Sequence, residues 1–265
     1  MIIIGERINS SRKVIAEAVK NRDAVFLANE AKEQEAAGAD MIDLNVGTFV
    51  GQEPELMGWL VEIVQDVVSV PLCIDTPSAD TIESALEKCK SMVVVNSITG
   101  ETERYSSFLP LIRKYGSSVI ALCMDDRGLS RSPEVRCEIG LSLIEQLTKA
   151  GVPYENIYID PVVEPISCGP NTGRVCLDSI RLIRSQEPEV HIICGLRNVS
   201  YGLPKRALLD ESFLSMAVLM GLDTVILNPL NKRLMAGLRA ARALVGSDEY
   251  CMDYIAAYRK GKLEC

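Results

Sequence analysis

Several residue types and motifs on which common enzyme sites depend are scarce or missing in this chain of 265 residues. The only histidine is His191, so a histidine-rich zinc site is excluded and a histidine-based catalytic triad is disfavoured. No G-x-G-x-x-G segment is present, which removes the usual fingerprint of a dinucleotide-binding turn. We therefore expect a site that holds no metal ion of its own and no dinucleotide.

Membrane and export signals are also missing. No uninterrupted apolar run reaches the roughly 18 residues that a membrane-spanning helix needs. The first residues have no basic segment and no small-residue cleavage site, unlike a signal peptide. The nine cysteines form no C-x-x-C pair, and their odd number fits a reducing compartment. We expect a cytoplasmic protein without a membrane partner, in which Cys73, Cys123 and Cys194, placed in apolar runs, act as small hydrophobes.

The charge balance of the chain is acidic. Lys and Arg total 28 and Asp and Glu total 36, which gives a formal net charge of −8. This balance argues against nucleic acid or an anionic membrane surface as the main partner. Hydrophobic residues make up 48% of the chain, enough for a globular protein with a substantial core.

Short β-branched runs alternate with longer amphipathic segments along the chain. The eight predicted strands cover residues 2–8, 41–46, 72–76, 92–98, 118–124, 157–163, 191–198 and 224–228. Segments with apolar residues at helical spacing lie between them, among them 24–37, 54–68, 79–90, 134–150 and 208–220. This alternation, in a chain close to the roughly 250 residues typical of the fold, predicts one (β/α)₈ TIM barrel over residues 1–265. An open doubly wound sheet is the alternative.

Polar side chains stand where the apolar runs stop. They are Glu6, Arg7, Asn9, Asp43, Asn45, Asp75, Asn96, Asp125, Asp126, Asp160, Asn198 and Asn228. In a (β/α)₈ barrel these positions converge on the C-terminal mouth, where such enzymes bind their substrates. A single Asp or Asn at a strand end is as often a cap of the following helix. Because nearly every strand contributes one, a polar ligand site is the better interpretation.

The chemistry of this set is that of carboxylates and carboxamides. An aspartate accepts two parallel hydrogen bonds from an amino group and a ring N–H, and an asparagine offers both a donor and an acceptor. Such a set suits a planar heterocycle with several N–H donors and N or O acceptors.

Six segments of the chain resemble the pterin-binding methyltransferase family, in order and with similar spacing. They are 4–9 (IGERIN), 43–47 (DLNVG), 72–76 (LCIDT), 95–97 (VNS), 158–161 (YIDP) and 195–200 (GLRNVS). The family includes methyltransferases that act with corrinoid proteins and the folate-binding module of cobalamin-dependent methionine synthase. The resemblance implies a TIM barrel of the dihydropteroate-synthase-like kind, usually a homodimer, with the pterin lying across the barrel mouth. An aromatic amphipathic segment at 250–258 is expected to pack on the barrel or on a second subunit.

The resemblance also implies roles for individual residues. Asp75, Asn96 and Asp160 are expected to bind the pyrimidine side of the pterin, and Asn198, with Asp160, to act in catalysis, Asn198 beside the N5 atom. Gly195 is expected to let the backbone approach the ring, because it has no side chain. Further pterin contacts are expected from Asp43, Glu6, Met124 and Arg206. Arg206 has a second interpretation, as a surface residue that neutralises Asp210 or Glu211.

The reaction that the resemblance implies is methyl transfer between N5 of tetrahydrofolate and the cobalt of a corrinoid. Because the barrel accounts for the whole chain, the corrinoid is expected on a separate protein. The methyl group could move toward acetyl-CoA synthesis, or from a substrate demethylation system onto tetrahydrofolate; the strand-seven loop slightly favours the second.

Two rival functions are weighed against this one. Dihydropteroate synthase would require a Ser-Arg-Lys type segment on strand seven and an Asp-x-Gly-Gly loop after strand two, and neither is present. A non-catalytic folate carrier is the rival from another class. Strand seven departs from the family at Arg197, where relatives often have serine, and this departure bears on the identity of the corrinoid partner.

Overall fold

The computed structural model describes residues 1–263, which fold as a closed barrel of eight parallel strands in sequence order. The strands are β1 Ile2–Asn9, β2 Met41–Asn45, β3 Leu72–Asp75, β4 Val93–Gly100, β5 Ser118–Asp125, β6 Ile157–Asp160, β7 His191–Gly195 and β8 Thr224–Leu227. The barrel closes where β1 pairs with β8, with Ile2 opposite Thr224 and Gly5 opposite Leu227. The predicted closed barrel is confirmed, and the open sheet is excluded.

Helices follow the strands and form the outer layer. They are α1 Lys13–Lys20, α2 Ala24–Ala36, α3 Glu53–Gln65, α4 Ala79–Lys88, α5 Thr102–Tyr115, α6 Pro133–Lys149, α7 Thr172–Gln186, α8 Arg206–Met220, α9 Lys232–Leu244 and α10 Met252–Arg259. Short side chains cap several of them: Asp23 accepts from the Phe26 amide, and Ser132 accepts from the Val135 amide. No helix within residues 1–263 is long and apolar enough to cross a membrane.

Two predicted strands end three residues earlier than their sequence pattern indicates. The sixth was expected to reach residue 163 but ends at Asp160, because Pro161 has no amide hydrogen to donate and Val162 adopts a left-handed φ of 67°. The seventh was expected to reach residue 198 but ends at Gly195, and a 3₁₀ turn, Leu196–Asn198, follows. Apolar periodicity overruns these strands because the turns that follow them are also partly apolar.

Apolar side chains fill both the barrel interior and the space between strands and helices. Seven strands each contribute one residue to the interior cluster, which consists of Ile4, Met41, Cys73, Val94, Ile120, Tyr158 and Ile193. A larger cluster packs the outward faces of the strands against the helices. Since the interior is filled by side chains, ligand space is left at the C-terminal mouth.

The cysteines support the same packing. The eight cysteines among residues 1–263 are free, and Cys73, Cys123 and Cys194 are completely buried, as predicted. Cys265 lies outside the described residues, as does the last part of the predicted domain 1–265.

The C-terminal segment packs beside α9. The Asp248 carboxylate accepts hydrogen bonds from the Asp253 and Tyr254 amides and thereby caps α10. Arg242 on α9 forms an ion pair with Asp253 at 3.2 Å. The aromatic residues Tyr250 and Tyr258 remain largely exposed, so packing on the barrel uses only part of this segment.

Candidate active site

A cavity of about 650 Å³ opens at the C-terminal mouth of the barrel. This volume lies within the roughly 300–1,000 Å³ that small-molecule sites occupy. Eight of the nine predicted site residues line it: Glu6, Asp43, Asp75, Asn96, Asp160, Gly195, Asn198 and Arg206. Six of the eight come from the strand-end pattern, and Gly195 and Arg206 come from the resemblance. Asn45, Asp125 and Asp126 of the strand-end set do not line the cavity.

Met124 is the exception, because it does not line the cavity. Leu122 on the same strand does, and Met124 lies two residues further along β5. The pairing of β4 with β5 is irregular between Thr99 and Gly100, opposite this end of β5. Met124 therefore lies beyond the residues that line the cavity.

Two amide–carboxylate pairs lie on the side of the cavity formed by β2, β3 and β4. Asn45 Nδ2 donates to Asp75 Oδ2 at 2.9 Å, and Asn96 Nδ2 donates to Asp43 Oδ1 at 3.3 Å. Burial raises the pKa of Asp43 well above its ordinary value, and the neighbouring Asp75 charge raises it further. Burial also raises the pKa of Asp75, against the effect of its bond from Asn45. Asp43 is 2% exposed, so it holds the Asn96 amide from the barrel interior. Asp75 is more open to the cavity.

Asp160 is held by the turn that follows its own strand. Its Oδ1 accepts a hydrogen bond from the Val162 amide at 2.7 Å. The fully buried Arg136 from α6 donates to the Pro161 and Val162 carbonyls at 2.9 and 2.7 Å and pairs with Glu164 at 2.5 Å. Burial raises the pKa of Asp160 to about 7, with the Val162 bond and Arg136 acting in the opposite direction.

Asn198 lies at the rim, in the 3₁₀ turn after β7, and is exposed. A Cβ atom placed on Gly195 would lie 3.2 Å from Asn198 Nδ2, tighter than ordinary contact. Gly195 therefore leaves room for the Asn198 amide as well as for a ligand. The turn is joined to the loop after β6 by a hydrogen bond from the Ile166 amide to the Val199 carbonyl at 3.0 Å.

Arg206 supports the same turn from the start of α8. Its Nε donates to Ser200 Oγ at 3.0 Å and its Nη2 donates to the Arg197 carbonyl at 2.6 Å. Ser200 in turn donates to the buried Asp210 at 2.5 Å. Arg206 thus reaches Asp210 through Ser200, while Glu211 pairs with Arg233.

Glu6 presents an acceptor without a partner. Its Oε1 is buried and, among residues 1–263, accepts no hydrogen bond, and the nearest cation is Arg197 Nη1 at 3.8 Å. Burial raises the pKa of Glu6 to about 7, against the lowering effect of Arg197. A buried acceptor of this kind calls for a donor, which a bound ligand can supply.

The cavity has further lining residues outside the predicted site. They are Arg7, Asn9, Ser11, Arg12, Ser97, Leu122, Val162, Val163, Arg197, Tyr201, Ile226 and Asn228. Arg7, Asn9 and Asn228 belong to the strand-end set named from the sequence, and Leu122 and Ile226 could have been found from the two-residue period of their strands. Arg12 and Arg197 give no such signal, since a surface arginine after a strand looks the same in sequence. No group of three or more His, Cys, Asp or Glu in the described part of the chain is arranged to hold a metal ion.

Comparison with known proteins identifies the family to which this chain belongs. Residues 5–228 match the family described as pterin binding enzyme, and the chain belongs to this family. It is 33% identical over 265 residues to the methylcorrinoid:tetrahydrofolate methyltransferase of Eubacterium limosum, covering 99% of this chain and 98% of that one. It is also 30% identical over 251 residues to the methionine synthase of Mycobacterium leprae, covering 88% of this chain and 21% of that protein.

Solved structures agree with the fold. The dihydropteroate synthase of Yersinia pestis superposes with a TM-score of 0.67 at 16% sequence identity, covering 92% of each chain. A second structure of that enzyme, with a pterine-sulfa conjugate, gives a TM-score of 0.68 at 15% identity. At this identity the likeness shows a shared barrel and says nothing of a shared reaction.

Proposed function

We propose that this protein transfers a methyl group between N5 of tetrahydrofolate and the cobalt of a corrinoid carried by a separate protein. The observation that carries the proposal is the group of hydrogen-bond acceptors that line the mouth, Asp75, Asn96 and Asp160, with the Asn198 amide at its rim. Its support in sequence is the end-to-end similarity to a methylcorrinoid:tetrahydrofolate methyltransferase.

The pterin fits the donors and acceptors of the cavity. Its 2-amino group and ring N–H groups are donors, and Asp75 and Asp160 supply carboxylate oxygens to accept from them. Asn96 adds an amide that is already oriented by Asp43. The apolar side chains Leu122 and Ile226 also line the cavity and give the ring a surface on which to pack.

We assign to Asn198 the role of contacting the N5 atom of the pterin. A methyl group leaves an amine nitrogen poorly unless that nitrogen carries positive charge that the protein stabilises. The Asn198 carboxamide can accept from a protonated N5 or turn its amide toward an unprotonated N5 as the charge changes. An interaction that is stronger in the transition state than in the bound substrate lowers the barrier, and a preorganised dipole provides one.

The other contribution of the protein is to position the pterin for the reaction. The corrinoid cobalt supplies the nucleophile or the methyl donor, so this chain needs no nucleophile of its own. Asp160, fixed by its turn, and Asn198, fixed by Gly195 and Arg206, hold the pterin with N5 toward the open mouth. We expect the physiological direction to run from methylcorrinoid to tetrahydrofolate, in one-carbon metabolism.

The setting of the reaction is part of the same proposal. We expect the protein to act in the cytoplasm, as a single-domain barrel, and as a homodimer. Exposed apolar residues on and before α10, including Tyr250, Met252 and Ile255, offer a surface for a second subunit.

Calorimetry combined with turnover tests the proposal. Wild-type protein is titrated with tetrahydrofolate and then assayed for methyl transfer, beside Asp75→Ala, Asn198→Ala and the surface control Asn21→Ala. We expect Asp75→Ala to lose binding, Asn198→Ala to bind but transfer slowly, and Asn21→Ala to match wild type. Binding without transfer to or from several corrinoid proteins would instead favour a folate carrier, and no binding would refute the pterin site.

A further inference from the structure

The cavity is electrically polarised. Asp43 and Asp75 lie on the β2 and β3 side, whereas arginines line the side formed by β7, β8 and β1. Arg12 follows β1, and Arg197 and Arg206 follow β7, the two strands that flank β8 in the closed barrel. All three arginines line the cavity together with Glu6, and the Arg197 guanidinium lies 3.8 Å from the Glu6 carboxylate.

The arginines differ in how far they are already bonded. Arg7 makes two hydrogen bonds to Glu30, at 2.9 and 2.8 Å, and Arg206 is bonded to Ser200 and to the Arg197 carbonyl. Arg12 donates to the Arg7 carbonyl and lies 3.4 Å from Glu30.

Arg197 is free by comparison. Within residues 1–263 its guanidinium makes no hydrogen bond, and its one ionic neighbour is Glu6 at 3.8 Å. The Arg197 side chain is 45% exposed, although it lines the cavity. A cation with five N–H donors, partly open and without a hydrogen-bonded partner, is suited to bind a planar carboxylate.

We propose that Arg197 binds a carboxylate of the glutamate tail of folate, so that the protein selects folates with glutamate or polyglutamate tails over pterins without a tail. The inference rests on the proposed function, in which N5 lies beside Asn198. The ring carbon that bears the tail is bonded to N5, so the tail leaves the pterin beside Asn198, and its p-aminobenzoyl group carries the glutamate outward, where the partly exposed Arg197 side chain can extend to meet it. Arg12, with 34% of its side chain exposed, is placed to take a second carboxylate.

An acidic residue on the corrinoid protein is the competing partner for Arg197. The position of the guanidinium favours the tail, because Arg197 lines the cavity and its guanidinium lies within 3.8 Å of the buried Glu6 carboxylate, although its turn stands at the rim. Arg197 can serve Glu6 and a ligand carboxylate together, since its donors point along two edges of the guanidinium plane.

The experiment compares three ligands in the absence of any corrinoid protein. Tetrahydrofolate, its triglutamate and 6-methyltetrahydropterin, which has no tail, are titrated into wild type, Arg197→Gln, Arg197→Lys and Arg127→Gln. Arg127 is a matched control, because it is an exposed arginine of another mouth loop that pairs with Asp125 and does not line the cavity.

We expect wild type and Arg127→Gln to bind tetrahydrofolate about tenfold more tightly than the tail-less pterin, the scale of one charge-assisted hydrogen bond. Arg197→Gln should remove this difference while binding the tail-less pterin as wild type does, and Arg197→Lys should restore part of it. The extra affinity for the triglutamate should shrink as salt is raised, because exposed ion pairs are screened.

Three results would overturn the inference without touching the proposed function. Equal binding of all three ligands by wild type would show that no tail subsite exists. An equal loss for tailed and tail-less ligands in Arg197→Gln would place Arg197 on the pterin. Unchanged binding of all three ligands in Arg197→Gln would show that Arg197 does not bind the tail, and a raised KM for the corrinoid protein in a separate transfer assay would make it a docking residue. Failure of wild type to bind any of the three ligands would refute the proposed function instead.

Discussion

The Arg136 guanidinium lies 2.7 Å from the carbonyl oxygen of Val162, and this contact joins helix α6 to the turn that holds Asp160. Arg136 is completely buried and also bonds to Ser130, Pro161 and Glu164. A buried cation with this many acceptors keeps the turn in one conformation. The chain thereby fixes Asp160, a proposed pterin-binding residue, through a side chain that does not line the cavity.

The first prediction concerns this buried contact. Arg136→Met should lower the free energy of unfolding by about 3–5 kcal/mol, because it leaves Glu164 and three carbonyls without their donor. Tetrahydrofolate binding should weaken as well, since Asp160 loses its fixed turn. Urea unfolding and calorimetry measure the two effects. Arg181→Met, a change at an exposed arginine of α7, is the control, and equal stability of the two variants would contradict the assignment.

The second prediction concerns stability against pH. Burial raises the pKa values of Asp160 and Glu6 to about 7, so the folded protein binds protons more tightly than the unfolded chain. The resulting stabilisation is complete below about pH 4, where unfolded carboxyl groups are also protonated, and is lost as pH rises through 7. Without ligand, the free energy of unfolding should fall between pH 5 and pH 8.

The variant Asp160→Asn tests whether the free energy of unfolding falls with rising pH because Asp160 ionises. The variant keeps an oxygen for the Val162 amide but has no charge to bury, so it should be more stable than wild type at pH 8 and should show a shallower decline. Urea unfolding across this pH range measures both curves. Parallel curves for wild type and the variant would show that Asp160 does not titrate near neutrality.

The third prediction concerns protons released on ligand binding. Pterin N–H groups donate to ionised carboxylates, so binding should lower the pKa of Asp160 and expel a proton at pH 6. Tetrahydrofolate affinity should therefore weaken as pH falls below 7. Calorimetry in two buffers of different ionisation enthalpy reports the proton directly. Proton uptake instead of release would mean that the pterin meets a protonated Asp160.

The fourth prediction uses two glycines. Gly195→Ala should slow methyl transfer by about tenfold or more, because the added Cβ would lie 3.2 Å from Asn198 Nδ2 and displace the amide. Gly237→Ala, in helix α9 with no atom within 4 Å of the added Cβ, should leave transfer unchanged and raise stability by about 0.5–1 kcal/mol. Transfer rates and urea unfolding of both variants decide the matter. Full activity in Gly195→Ala would show that a Cβ atom at this position does not displace the Asn198 amide.

The barrel and the strand-end residues of the site could be predicted from the sequence, because both depend on local patterns. Apolar runs marked the strands, and a polar residue at the end of each run marked the mouth, as Asp75 and Asn96 show. Met124 does not line the cavity, since the pattern gives the direction along a strand but not the depth at which the cavity ends, and its contact with the pterin stays a prediction. The homodimer stays a prediction.

The supports of the site could not be read in the same way. Arg136 lies in the first turn of helix α6, and its carbonyl partners Pro161 and Val162 are brought to it only by the fold. Arg197 and Glu6 are far apart in sequence and meet only because β1 and β7 both flank β8. Contacts of this kind leave no periodic signal in the sequence, so the sequence alone does not predict them.

The most direct test of the central claim is the visible spectrum of free cobalamin, reduced to the cobalt(I) state, mixed with methyltetrahydrofolate and the wild-type protein. Growth of methylcobalamin absorbance that depends on the protein, and that slows by about 100-fold or more in Asn198→Ala at saturating folate, is the predicted result. An equal rate for wild type and Asn198→Ala would contradict the role of Asn198. A wild-type rate no faster than the protein-free mixture, with free cobalamin and with corrinoid proteins alike, would contradict methyl transfer itself.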